Sequence, residues 1–155
     1  MVTAGIREED NALFEAMFGS FAQEAARNGI QIPPNSVREF GGRFTEFEAK
    51  KRLVQTFPAP VKFSNPLGML QGGIIGAYID DTMGPLCFST IKGPTTTIGL
   101  NVNYLRSVKC PDTVVVEARI TGRGRKVLHL EAEVKDSRGK IVATATSSVL
   151  SLKGD

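Results

Sequence analysis

The pattern of apolar and polar residues over positions 74–89 has the spacing of an α-helix. One broad face collects Ile74, Ile75, Tyr78, Ile79, Thr82, Met83 and Leu86. At about 100° per residue, the opposite face collects Gly73, Gly76, Ala77, Asp80 and Gly84. We therefore expect a buried helix that ends near Ile91. Its small-residue face should let another backbone or a ligand approach closely.

After this helix the pattern changes to a period of two, which is typical of β-strands. In the first such run, Ile98, Leu100, Val102 and Tyr104 alternate with Thr97, Gly99, Asn101 and Asn103. The four predicted strands cover residues 95–104, 113–121, 127–135 and 141–152. Alternation of this kind predicts an antiparallel sheet with one covered face.

A second helical pattern covers residues 10–28, with Asp10 as a suitable N-cap and Asn28-Gly29 as a suitable stop. Its apolar stripe consists of Leu13, Phe14, Met17, Phe18, Phe21, Ala22 and Ala25. We expect this stripe to pack on the body of the domain. The alternative is a lid or wall over a loosely shaped apolar pocket, for which Met and Phe are well suited.

Between the two helices, Pro33-Pro34 indicates that residues 30–36 form a connector. A single long strand, with a bulge allowed, is predicted from about Arg43 to the prolines Pro58 and Pro60. The chain then divides into an N-terminal helix and connector, 1–36, and one domain, 37–155. The predicted fold class is α+β, with a curved antiparallel sheet wrapped around one long helix.

Composition narrows the class of protein. A chain of 155 residues fits one hydrophobic core, and no run reaches the roughly 20 apolar residues that a membrane span needs. The net charge of +3 without a basic run suits an anionic small molecule better than nucleic acid. Residues 1–10 lack the apolar core of a signal peptide, and Cys87 and Cys110 lack metal-ligand spacing. We expect a cytoplasmic protein with free thiols and no bound metal.

The stretch 65–73 is glycine-rich and runs directly into the buried helix. The first N–H groups of a helix have no partner within it, so Gly72 and Gly73 can offer backbone donors to a developing negative charge. Asp80 lies about two turns further on and is a candidate general base or nucleophile. The two cannot reach one reacting atom within one helix, so we expect a site shared between two subunits. Its neighbour Asp81 projects toward the edge of the apolar face and is the weaker candidate.

These residues also form a recognisable combination. An Asn-x-x-Gly-x-x-His-Gly-Gly pattern with an acid nine residues after the His resembles the hotdog-fold acyl-CoA thioesterases of the phenylacetyl-CoA thioesterase (PaaI) type. Asn65, Gly68, Gly72, Gly73 and Asp80 occupy the family's positions, and the resemblance covers about residues 43–152. The chain departs from the pattern at one position, where Gln71 replaces the His.

The resemblance implies hydrolysis of an acyl-CoA thioester, with no cofactor other than the CoA of the substrate. It implies a homodimer that pairs further into a homotetramer, and a substrate region that includes Gly72 and Gly68. It also places Thr97 where the family often has a Ser or Thr that positions water. A Gln at position 71 can donate through its amide but cannot titrate, so activity is kept only if the family His serves to place a hydrogen bond. Asn65 either holds the substrate carbonyl or stabilises the loop.

Two remaining features carry weaker functional interpretations. Arg123, Arg125 and Lys126 form a basic turn that either is a solvated hairpin or contacts CoA phosphates. His129 is the only histidine, and it alternates with Leu128 and Leu130, which predicts a surface position. The alternatives to a thioesterase are a non-catalytic acyl-CoA binding or sensing protein and a hotdog hydratase. The hydratase would need an Asp/His pair, which the sequence does not offer.

Overall fold

The computed structural model describes residues 11–153 as one antiparallel sheet curved around a long helix. Its helices are α1 (Asn11–Arg27), α2 (Asn35–Phe40) and α3 (Gly72–Ile91). Its strands are β1 (Arg43–Glu48), β2 (Arg52–Ala59), β3 (Thr95–Tyr104), β4 (Asp112–Arg123), β5 (Val127–Asp136) and β6 (Ile141–Ser151). The strand order is β1-β2-β4-β5-β6-β3, so β1 and β3 form the two edges. The predicted α+β architecture, including the extra N-terminal helix, is confirmed.

The region predicted as one long strand is instead a hairpin of β1 and β2. The chain reverses at Glu48, where the Lys51 N–H donates to the Glu48 carbonyl at 3.0 Å. Lys50 adopts the left-handed conformation, with φ of 63°, although this turn contains no Gly, Asn or Pro that would have indicated it. The predicted bulge is present in β1, where the register shifts between Phe44 and Glu46.

The predicted connector also contains a structured element. Residues 35–40 form the short helix α2, which ends at Gly41 with φ of 71°. The sequence predicted a connector over residues 30–36 and a strand from about Arg43, so it did not predict this helix. The prediction that prolines end the following strand is accurate to two residues, because β2 continues through Pro58 to Ala59. Pro58 lies beyond the segment of β2 that pairs with β1. Proline has no N–H to donate, so it is tolerated where one side of the strand is unpaired.

Helix α3 lies against the covered face of the sheet, and its apolar side forms the centre of the core. The ring of Tyr78 stacks on Phe57 of β2 with centroids 4.4 Å apart, and its hydroxyl donates to the Pro58 carbonyl at 2.8 Å. The buried residues of this helix are Ile75, Tyr78, Ile79, Thr82, Met83, Pro85, Leu86, Cys87 and Thr90. The two faces predicted from periodicity are therefore present, and the small-residue face of α3 stays open.

Helix α1 packs on the body of the domain, as the apolar stripe predicted. The rings of Phe18 and Phe21 lie 6.1 and 5.3 Å from that of Phe88, on the last turns of α3. The helix stops where predicted, and Gly29 takes a left-handed φ of 74°. The proposed N-cap, Asp10, lies outside the described residues.

Strand β3 departs from strict alternation at one point. Its register with β6 shifts between Thr97 and Gly99, so Ile98 is an extra residue, and 59% of its surface is exposed. Thr97 then pairs with Val149, on the face that points toward α3. The alternation in the sequence had assigned Ile98 and Leu100 to one face and Thr97 to the other, and the bulge makes this assignment wrong.

Other expectations can be checked within the described residues. Cys87 is buried, Cys110 is half-buried, and both are free thiols. Across residues 11–153, no cluster of three His, Cys, Asp or Glu side chains has the arrangement of a metal site. No helix in the same range has the length and hydropathy of a membrane span.

Candidate active site

The loop before α3 is held by the side chain of Asn65. Its Oδ1 accepts hydrogen bonds from the backbone N–H groups of Leu67 at 2.9 Å and Met69 at 3.1 Å. Gly68 forms the turn with φ of 74°, and its carbonyl accepts from the Cys110 N–H at 3.0 Å. Of the two interpretations of Asn65, these contacts match the stabilisation of the loop.

Gln71 occupies the N-cap of α3, and its carbonyl accepts from the N–H groups of Ile74 at 3.0 Å and Ile75 at 3.3 Å. Its side chain is exposed and makes no capping hydrogen bond. Gly73 follows in the first turn, also exposed, and a Cβ placed on it would meet no atom within 4 Å. The space on the Cα side of Gly73 is therefore open.

Gly72 contacts an aromatic side chain, and the sequence did not predict this contact. The Tyr104 hydroxyl donates to the Gly72 carbonyl at 2.6 Å. A Cβ on Gly72 would lie 3.1 Å from the Tyr104 Cζ, closer than ordinary van der Waals contact. Tyr104 stands at the end of β3, 32 residues downstream, and no local sequence signal indicated this contact.

Asp80 and Thr97 meet on the open side of α3. The Thr97 hydroxyl donates to Asp80 Oδ1 at 2.8 Å, and both side chains are exposed. The bulge at Ile98 produces this contact, because it turns Thr97 toward the helix. The structure thus brings together two of the predicted site residues.

Asp81 occupies a different environment from its neighbour. The Ser36 hydroxyl of α2 donates to Asp81 Oδ1 at 2.8 Å, and Oδ2 is buried without a hydrogen-bond partner among the described residues. Burial, and next the negative charge of Asp80, raise the pKa of Asp81 to about 6, although the Ser36 hydrogen bond acts in the opposite direction. The sequence placed Asp81 at the edge of the apolar face but gave no indication of Ser36.

A cleft of roughly 520 Å³ adjoins both carboxylates. Its walls come from α1 and the connector on one side, from α3 in the middle, and from the start of β3 on the other. The apolar lining includes Phe18, Ile30, Ile32, Pro34, Pro85 and Phe88. The N-terminal helix therefore packs on the domain, and its Phe18 also lines this cleft, while a role as the wall of a substrate pocket stays a prediction.

The two candidate reacting groups are well separated on one chain. Asp80 follows Gly73 by seven positions along the helix, and at 1.5 Å per residue this is about 10 Å. One thioester carbonyl cannot contact the Gly73 N–H and Asp80 of the same chain at once. The structure therefore reproduces the separation that the sequence predicted.

The basic turn lies at the end of the sheet where β3 begins. Arg123, Arg125 and Lys126 are exposed, and the Lys126 carbonyl accepts from the Ser151 N–H at 2.7 Å, next to the pair Thr95–Ser151. It is two strands away from β3, so the turn does not line the cleft of the same chain. His129 is exposed, with Nδ1 3.0 Å from the Ser148 hydroxyl, as predicted for a surface position.

Comparison with known proteins shows which family this chain resembles. The profile of the Thioesterase superfamily matches residues 67–143, which include Gly72, Asp80, Thr97 and Tyr104. A candidate esterase of Saccharolobus solfataricus is 35% identical over 102 residues, which are 64% of this chain and 71% of that protein.

Solved structures show the same fold. A candidate thioesterase of Ralstonia eutropha, related to phenylacetic acid degradation, has a TM-score of 0.72 and 30% identity, covering 82% of this chain and 97% of that one. A Streptococcus mutans protein solved with acetyl CoA bound has a TM-score of 0.65 and 28% identity, covering 70% and 86%. With the curved sheet, the buried α3 and the loop that precedes it, these matches establish that the chain belongs to the hotdog-fold thioesterase superfamily, in its PaaI-type branch.

Proposed function

We propose that this protein hydrolyses an acyl-CoA thioester to the free acid and CoA, at a site shared between two subunits. The observation that carries the proposal is the Thr97–Asp80 hydrogen bond of 2.8 Å beside an apolar cleft. Membership of the thioesterase superfamily and the acetyl CoA bound to the S. mutans relative support the same substrate class.

Asp80 of one subunit would act as the general base or as the nucleophile. The Thr97 hydroxyl occupies Oδ1, which leaves Oδ2 to act on water or on the thioester. As a base, Asp80 takes a proton from water while the water oxygen bonds to the carbonyl carbon, and the C–S bond then breaks as the thiolate of CoA receives the proton. As a nucleophile, the carboxylate itself bonds to that carbon while the C–S bond breaks and CoA leaves as a thiolate. Water then cleaves the resulting anhydride, which releases the free acid, regenerates the Asp80 carboxylate and supplies the proton that the thiolate takes up.

Gly73 of the other subunit would stabilise the carbonyl oxygen. Its N–H belongs to the first turn of α3, where helix geometry leaves donors without an internal partner. The side-chain amide of Gln71, two residues earlier, can donate as well. Asn65 and Gly68 would fix the loop that presents both groups, and Gly72 would allow the substrate close to the backbone. The mechanism calls on no metal or redox cofactor.

The edge strand β3 supports the assembly of two copies. Within residues 11–153 no strand pairs with its outer side, and Ile98, Tyr104 and Leu105 expose 59%, 52% and 55% of their surface. Exposed strand edges and apolar side chains favour pairing with a second copy. In this proposal a homodimer joins the Gly73 and Asp80 halves, and two dimers form a homotetramer. Arg123, Arg125 and Lys126 would then bind CoA phosphates of a substrate held between subunits.

The first test is a panel of acyl-CoA substrates with Asp80→Asn and, as a matched control, Asp81→Asn. The first variant should lower kcat by ~10²–10⁴-fold, the usual scale for a general base. The second variant should keep most of the activity, because the Asp81 carboxylate faces Ser36. Equal kcat in wild type and Asp80→Asn would refute the mechanism. If the wild type binds acyl-CoA but does not turn it over, the protein is a sensor or carrier.

A mixing experiment tests the shared site. Asp80→Asn and Gly73→Pro, which removes the N–H at a helix start that tolerates proline, should each be inactive. Random co-assembly of the two should restore about a quarter of wild-type activity, because half of the dimers contain one intact site. No recovery, or a fully active monomer in sedimentation, would contradict sharing.

A further inference from the structure

We propose that Tyr104 is a positioning residue that orients and polarises the peptide group between Gly72 and Gly73. The contact that points to this role is the hydrogen bond of 2.6 Å from the Tyr104 hydroxyl to the Gly72 carbonyl. The catalytic value of the contact rests on the proposed function, in which the Gly73 N–H is the oxyanion donor.

The Gly72 carbonyl and the Gly73 N–H are the two ends of one planar amide. A hydrogen bond accepted by the oxygen draws electron density from the nitrogen, so the N–H at the other end becomes a stronger donor. The helix also directs the N–H of Gly76 to this carbonyl, which has a second lone pair for Tyr104. Both bonds act on the same peptide group and in the same sense.

Orientation matters here because two adjacent glycines give this peptide unusual freedom to rotate. The Tyr104 hydroxyl fixes its oxygen, and the planarity of the amide then fixes the direction of the Gly73 N–H. The Tyr104 ring packs against Gly72 and not against Gly73. A Cβ on Gly72 would lie 3.1 Å from the tyrosine ring, whereas a Cβ on Gly73 would meet nothing within 4 Å. The ring therefore supports the peptide from the side of Gly72 and leaves the side of Gly73 open.

The direct test is the amide chemical shift of Gly73 in the full-length, ligand-free protein. Tyr104→Phe keeps the ring and removes the hydroxyl, so the Gly73 amide proton should move upfield as its donor strength falls. Replacement of Tyr104 by 3-fluorotyrosine, a more acidic phenol, should move it downfield. Tyr78→Phe is the control, because the Tyr78 hydroxyl donates to Pro58 in the core and should not affect the Gly73 signal.

The kinetic test uses whichever acyl-CoA the wild type hydrolyses. Tyr104→Phe should lower kcat about tenfold with little change in KM, since an oxyanion donor acts mainly in the transition state. An unchanged Gly73 shift, or an unchanged kcat with a lowered melting temperature, would assign Tyr104 a purely structural role and overturn the proposal. If the wild type hydrolyses no acyl-CoA, the proposed function fails, and the two opposite amide shifts alone decide whether Tyr104 polarises this peptide.

Discussion

The first and third turns of α3 lie on one helix, about 10 Å apart, yet different parts of the chain shape them. The first turn, with Gly72, is shaped by its own loop and by Tyr104 of β3. The third turn, with Asp81, is contacted by Ser36 of α2, and Phe18 of α1 lines the cleft beside it. The contacts of the first turn fall within residues 67–143, which match the superfamily, whereas Ser36 and Phe18 lie outside them.

This difference separates a helix start whose contacts lie within the matched residues from a cleft that also uses residues outside them. The groups that would bind and attack the thioester carbonyl lie within the residues that match the superfamily. The wall that would contact the acyl group is built largely by the upstream segment, residues 30–36, together with α1. We therefore expect substitutions in the upstream segment to change stability and substrate preference, and substitutions near the first turn or Thr97 to change kcat.

Loss of the Phe18 ring should have the largest effect on stability. Phe18 is 5% exposed, and its ring packs against those of Phe14 and Phe88. Phe18→Ala should lower the free energy of unfolding by about 3 kcal/mol and shift substrate preference toward bulkier acyl groups. Denaturant titration and the acyl-CoA panel measure the two effects. Val61→Ala, at a position that is 62% exposed, is the control and should change stability by less than about 0.5 kcal/mol. An unchanged denaturation midpoint in Phe18→Ala would show that the packing of α1 does not contribute to the stability of the core.

Asp81 should give the protein a defined pH dependence of stability. Its pKa is raised from 3.8 to about 6, so the folded state binds the proton more tightly than the unfolded state. Protonated Asp81 therefore contributes its full stabilisation to the folded state below about pH 4, and this contribution is lost as the pH rises through about 6. Asp81→Asn should remove this slope. At about pH 8 it should raise the free energy of unfolding by about 1–2 kcal/mol, a value reduced for partial exposure. Denaturation curves from pH 4 to 8 test it, and parallel curves for the two proteins would contradict it.

Thr97 should have a smaller effect, confined to turnover. Thr97→Val removes the hydroxyl that donates to Asp80 and keeps the shape of a β-branched side chain. Loss of one hydrogen bond to a charged group should lower kcat about tenfold. Thr96→Val, one residue earlier on the opposite face, provides the control in the same assay. Equal losses in both variants would attribute the effect to the edge strand as a whole.

The sequence predicted the parts of the fold that depend on local periodicity. Both faces of α3 could be read from spacing alone, and Asp80 was placed on the open face. Thr97 became a candidate site residue through the resemblance and not through alternation, and its contact with Asp80 was not predicted, since Ile98 interrupts the period of two. The fold was thus predictable wherever apolar residues recur regularly.

The remaining features arise from contacts between distant segments or from turns without typical residues. The hairpin turn at Lys50 has no glycine or proline, so the chain reversal left no signal. The hydrogen bonds from Ser36 to Asp81 and from Tyr104 to Gly72 span 45 and 32 residues. Neither can be inferred from spacing, because each requires the sheet to have curved around α3 first.

The extra residue in β3 has a consequence for how related chains are compared and engineered. Side chains of a strand alternate, so the faces of residues 95–97 depend on whether the bulge is present. A strand of the same length that formed a regular ladder would pair Ile98 with Val149, which would turn Thr97 away from α3 and Thr96 toward it. Deletion of Ile98 would instead keep the pair Thr97–Val149 and leave Thr97 facing α3. A relative that carries a threonine or serine aligned with Thr97, but whose strand of equal length has no bulge, would present that hydroxyl to the outer surface. Inheritance of this hydroxyl contact therefore depends on the bulge as much as on the identity of the residue, so an alignment without gaps can hide a functional difference.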